Sequence, residues 1–178
     1  MKNKSRASVL ALCGVLAALA VALMFLGGVI PFASIACPVL ASLVMIPVYT
    51  ETGKKWSLLW YAAVAVLGLL LAPDKEAAIL FVFFGYYPML KKIFGRLPNK
   101  WLRWLVKLLY VNAAIAAAYA LMIFVFRMDA VSAEFAQMER YLLIVLLVLA
   151  DISFVLYDLL IDRLEIFYHV RIRPKLKL

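Results

Sequence analysis

The sequence predicts an all-α, polytopic membrane protein with six transmembrane helices and both termini on the cytoplasmic side. Three observations carry this. First, 68% of the 178 residues are hydrophobic and only 16% are charged, more apolar surface than a domain of this size can hide in its own interior. Second, the apolar residues fall into stretches close to the roughly 20 residues that cross a bilayer. Third, the 19 basic residues are distributed unevenly among the turns between those stretches. With the N-terminus inside, only Lys75, Arg127 and Arg140 fall outside, which is the asymmetry of a positive-inside topology.

The segments lie at about 8–28, 33–49, 56–73, 77–95, 101–126 and 138–163, with a basic cytoplasmic tail at 164–178. Together they form a single transmembrane domain. Turn signals separate them: "GGVIP", "ETGKK", "APDKE", "FGRLPNK" and "RMDAVSAEF". The first segment follows "MKNKSR" but is too long for a signal-peptide core, so it reads as an uncleaved helix. The second is short and carries Pro38 and Pro47, which makes it tilted, bent or partly re-entrant. The fourth contains "FGYYP", where Pro88 removes a backbone donor and opens or kinks the helix. Trp56, Trp60, Trp101 and Trp104 read as an aromatic belt at the inner interface.

The net charge of +9 is therefore topological, with some attraction to anionic lipid, and no nucleic-acid partner is expected. No nucleophile elbow, zinc-protease helix, phosphate-binding loop or dithiol motif occurs, so neither an enzyme nor a cofactor is expected. Cys13 and Cys37 lie at different expected depths, and the lone histidine, His169, falls in the tail. No disulfide and no metal site follow from them.

Intramembrane polar residues are the candidates for function. Asp151 and Asp158 lie seven residues apart on one face of the sixth segment, and Asp162 continues that face towards the interface. Depth matching pairs Asp158 with Lys107 or Arg103 as a structural ion pair, and places Asp151 near Asn112. Lys107 and Asn112 project about 140° apart on a helix, so both cannot point straight at the sixth segment. Tyr86, Tyr87, Asn112, Tyr119 and Asp151 could line a ligand pocket; alternatively, these groups only hold helices together. In the first segment Ala7, Ala11, Gly14, Ala18 and Ala22 fall within about 80° of one another. Such a face admits close approach of another helix, either within the chain or in a second membrane subunit. "NAAIAAAYA" at 112–120 offers the same choice.

The topology, the small-residue opening "RASVLALCGVLAALAVAL" and the following "FLGGVIPFASIACPVLASLVMIPVYTETGKK" resemble the substrate-binding S component of energy-coupling factor (ECF) vitamin transporters. The specific likeness covers residues 6–55. It implies a prokaryotic plasma-membrane protein that captures a small vitamin-like molecule from outside and is energised by a separate T component and a pair of ATPases. It also implies docking of the T component on Ala11, Gly14, Ala18 and Ala22. The pocket would open outward, near loops 28–37, 73–77 and 127–138. Two other classes remain: a small integral-membrane scaffold or assembly protein with no ligand, and a small secondary transporter using Asp151.

Overall fold

A computed structural model describes residues 6–30, 33–127, 129, 131, 133 and 138–175. Most of the expected outer loop at 127–138 therefore lies outside the described residues. Every regular element among the described residues is helical: α1 Arg6–Val29, α2 Ala36–Leu43, α3 Met45–Leu71, α4 Lys75–Phe84, α5 Tyr87–Phe94, α6 Lys100–Phe124 and α7 Arg140–Phe167, followed by a π-helical turn, Tyr168–Ile172. Among the described residues five helical stretches are long and apolar enough to cross a membrane: Ala7–Val29, Met45–Leu71, Lys75–Phe94, Lys100–Phe124 and Arg140–Ile172. Many of their outward side chains are large and apolar, including Leu10, Leu70, Leu109 and Leu156. Such faces suit lipid rather than water.

Prolines set three of the breaks. Pro38, Pro47 and Pro88 all lie in the first turns of α2, α3 and α5, where a missing N–H costs no helical bond. The expected second segment, 33–49, is accordingly broken near Val44, since Pro47 has no N–H to offer the Leu43 carbonyl. The fourth, 77–95, is split at Gly85–Tyr86 into α4 and α5, since Pro88 has none for Phe84. A fourth break is made by glycine. Gly53 sits at φ 78°, ψ −178° inside α3, an extended positive-φ backbone that is essentially glycine's alone and costs an L side chain on the order of 1–3 kcal/mol. Thr50 and Thr52 hydroxyls donate to the Ile46 and Val48 carbonyls before this kink. Ser57 donates to the Gly53 carbonyl just after it, at 2.8 Å.

Capping fixes the other ends. Asp74 accepts from the Glu76 N–H at 2.9 Å to start α4. The Lys75 ammonium donates to the Leu69 and Ala72 carbonyls, at 2.8 and 3.0 Å, and closes α3. Asn99 accepts from the Trp101 N–H at 3.0 Å and starts α6.

The chain divides into two compact units, Met1–Leu90 with Leu160–Leu178, and Lys91–Leu159. In the first, α1 packs on α2 and α3, and α2 and α3 on α4. Their core gathers Ala20, Met24, Ala41, Met45, Val48, Trp60, Val64 and Phe81. Trp60 corrects an expectation: it is a core residue, 7% exposed, and not part of an interfacial belt. Its indole N–H donates to the Cys13 carbonyl at 2.9 Å, which ties α3 to α1 by a satisfied buried donor. Trp56 and Trp101 are exposed. The last segment also runs further than 163. Helical geometry continues to Ile172, and Tyr168 is buried. Its hydroxyl donates to Glu51 Oε1 at 3.2 Å, and Arg173 Nε lies 3.1 Å from the same oxygen. Part of the region expected to be a basic tail is thus fastened to Glu51, beside the Gly53 kink.

Candidate functional site

Four arrangements hold the polar and small residues singled out by sequence. The most buried is a cluster in the second unit, where the Asp158 side chain is 2% exposed. Lys107 Nζ on α6 lies 2.7 Å from Asp158 Oδ2, and Lys91 Nζ at the end of α5 lies 3.1 Å from Asp158 Oδ1. The Lys91 ammonium also donates to the Asp158 backbone carbonyl. Lys107 stands 5.0 Å from the Trp104 ring centroid, close enough for a cation–π contribution. Charges so buried are tolerable only when paired and hydrogen-bonded. Arg103, the alternative partner by depth, instead donates from Nη2 to the Leu97 carbonyl at 3.1 Å. Sequence reasoning missed Lys91, which reads there only as one of the inner basic residues. Its position at the end of the broken fourth segment, at the depth of Asp158, is the signal that could have found it.

Further along α6, Asn112 Nδ2 donates to Asp151 Oδ1 at 2.9 Å and to the Leu108 carbonyl at 2.9 Å. Both Lys107 and Asn112 therefore reach α7 despite projecting in different directions. The four-carbon lysine arm spans what the short asparagine side chain cannot. Asp151 and Asn112 are half-buried, and a small apolar recess of about 480 Å³ adjoins Asn112 between Leu105, Leu108, Leu109 and Ala113. Tyr119 is half-buried on α6 of the same unit.

Tyr86 and Tyr87 belong to the first unit. Tyr87 is wholly buried and has no surface to offer a ligand in this conformation. Tyr86 is half-buried, its ring 5.7 Å from that of Tyr61. Tyr61 in turn lies 6.0 Å from Phe81 and donates its hydroxyl to the Val82 carbonyl next to the α4–α5 break. The five proposed ligand residues are thus divided between two units: Tyr86 and Tyr87 in one, and Asn112, Tyr119 and Asp151 in the other.

The fourth arrangement is the small-residue face of α1. Ala11, Gly14, Ala18 and Ala22 are all exposed. A Cβ built on Gly14 meets nothing within 4 Å. Gly14, Ala18 and Ala22, with Ala17, Val21, Phe25 and Leu26 of α1 and Leu67 and Leu71 of α3, line an apolar groove of about 830 Å³. The internal partners of α1 use its other side, where Ala20 and Met24 are fully buried. Among the described residues no group of three or more His, Cys, Asp or Glu could hold a metal ion, and Cys13 and Cys37 are both free thiols.

The chain matches no protein-family model, no curated protein and no solved structure.

Proposed function

We propose that this protein is the non-catalytic, small-molecule-binding membrane subunit of an ECF-type uptake transporter, docked through α1 onto a T component and driven by its paired ATPases. The observation that carries the reading is the exposed Gly14 face and its apolar groove, a surface of small residues at the spacing that lets a second helix approach closely. Ligand contact falls to the half-buried polar residues Asn112, Tyr119 and Asp151 of α6 and α7. In this reading the chain has six spans, because Gly53 divides Met45–Leu71 so that α2 with the first part of α3 crosses once and the rest of α3 crosses back. Both termini are cytoplasmic in a prokaryotic plasma membrane, as the basic asymmetry favours. Reporter fusions at Ser132 and at Leu178 should give opposite signals, and same-side signals would remove the six-span topology.

The docking test is Gly14→Leu. The side chain would project into open groove, so thermal stability in detergent should equal the parent's or rise by up to about 1 kcal/mol through helix propensity. Co-purification with a co-expressed T component should fall at least tenfold, since a bulky residue separates helix axes that small ones bring together. Undiminished co-purification removes the docking claim. A second reading, a membrane scaffold with no ligand, is favoured by the mutual satisfaction of Asn112 and Asp151 and by the complete burial of Tyr87. Mass spectrometry of the purified protein separates the two: a stoichiometric co-purifying metabolite supports the transporter subunit.

A further inference from the structure

We propose that the α5–α6 hairpin is a binding site for the phosphate headgroup of an anionic phospholipid, with Arg96, Lys100 and Arg103 as its cations. The hairpin carries Lys91, Lys92, Arg96, Lys100, Arg103 and Lys107, and no acidic residue occurs from Lys91 to Met128. The Asp158 carboxylate from α7 engages Lys91 and Lys107 at the buried end of this set. Within the hairpin itself every charged residue is basic, and Arg96 and Lys100 are exposed. Arg103 is held over the hairpin turn by its Nη2 bond to the Leu97 carbonyl. Its Nε is enclosed and has no acceptor among the described residues, but the side chain as a whole is only half-buried, and one bond to Leu97 leaves most of the five guanidinium N–H donors unused by this chain. A phosphate oxygen supplies what is missing, because a guanidinium fork matches two phosphate oxygens.

The setting selects a lipid over other anions. Trp101 is 84% exposed and Trp104 stands beside it one turn on, the amphipathic rings that settle at headgroup level. Leu105 and Leu109, exposed on the next turns of α6, continue into an apolar face that acyl chains would cover. Charge complementarity thus lies beside an apolar surface, the combination a phospholipid presents and a soluble anion does not. This site is independent of the transporter reading, since it uses neither the α1 groove nor Asp151.

The test is quenching of tryptophan fluorescence by brominated phosphatidylglycerol against brominated phosphatidylcholine, with the full chain in mixed micelles and Trp56→Phe as background. A preference for phosphatidylglycerol is expected. Each cation near the surface adds about fivefold to affinity for anionic lipid. Arg96→Gln with Lys100→Gln should therefore reduce the preference roughly 30-fold, and adding Arg103→Gln on the order of 100-fold. Both residues of the double variant are exposed, so the fold is retained. Lys54→Gln with Lys55→Gln, an exposed pair of equal charge elsewhere, should leave the preference unchanged. Three results overturn the site: a double variant that keeps the preference, a control pair that loses it equally, or inorganic phosphate that displaces the lipid at comparable concentration.

Discussion

Asp158→Ala is expected to lower stability by about 3–5 kcal/mol, a large share of the roughly 5–15 kcal/mol that keeps an ordinary domain folded. The loss is not mainly that of an attraction. Removing the carboxylate leaves the Lys107 and Lys91 ammonium groups, 8% and 11% exposed, without their countercharge, although Lys91 keeps its bond to the backbone carbonyl of residue 158, and an uncompensated buried charge is what costs most. Asp158→Asn keeps the volume and one acceptor but no countercharge, so its cost should fall between zero and that of alanine. The contrasting variant is Lys91→Met, Lys107→Met and Asp158→Leu together, where no charge is left to strand. Buried ion clusters replaced this way are often neutral or more stable by about 1–4 kcal/mol. Unfolding midpoints in detergent for the alanine and the triple variant decide the matter. An alanine variant as stable as the parent would mean that water reaches the cluster.

Gly28→Val should be strongly destabilising to the first unit. A Cβ at Gly28 would stand 2.6 Å from Pro73 Cγ, 2.8 Å from the Asp74 backbone nitrogen and 3.0 Å from Asp74 Cβ. None of these is the end of a flexible side chain that could swing away. Overpacking of this kind costs about 1–3 kcal/mol. Here it also pushes on Asp74, whose carboxylate caps α4, and loss of a cap adds about 1 kcal/mol. Gly14→Ala gives the comparison. Nothing lies within 4 Å of its Cβ, so only helix propensity changes, and the variant should gain up to about 1 kcal/mol. Thermal unfolding of the two variants side by side should move in opposite directions. Equal shifts would show that Gly28 is not in close contact with the α3–α4 turn.

These contrasts show what the sequence could and could not convey. Helical class and apolar segments were legible because bilayer length and proline punctuation are local signals. "FGYYP" marked the α4–α5 break and "ETGKK" held the glycine of the α3 kink, although the backbone stays helical on both sides of Gly53 and the two segments run together. The small-residue face of α1 was visible as a pattern, but a pattern does not say which side of a helix is left uncovered. That followed only from Ala20 and Met24 being buried while Ala11, Gly14, Ala18 and Ala22 are exposed. Long-range partners were the least legible. Trp60 looked interfacial because tryptophan frequency at interfaces is a statistical guide. Its bond to the Cys13 carbonyl depends on two helices 47 residues apart in sequence. Lys91 and Arg173 were hidden by their own class: a basic residue near an inner loop satisfies the topology rule whether or not it also meets a carboxylate.

The fastening of Glu51 has a consequence for biogenesis. Glu51 and Tyr168 are 117 residues apart. At ordinary synthesis rates the ribosome needs roughly 6–23 seconds to cover that distance. Throughout that interval the turn between the two halves of α3 is already made, while the hydroxyl and guanidinium that hold its carboxylate do not yet exist. The corner around Gly53 therefore lacks its Tyr168 and Arg173 contacts until the chain has been extended through both residues. A ribosome stalled short of Tyr168 would leave the earlier helices made and Glu51 without these two contacts.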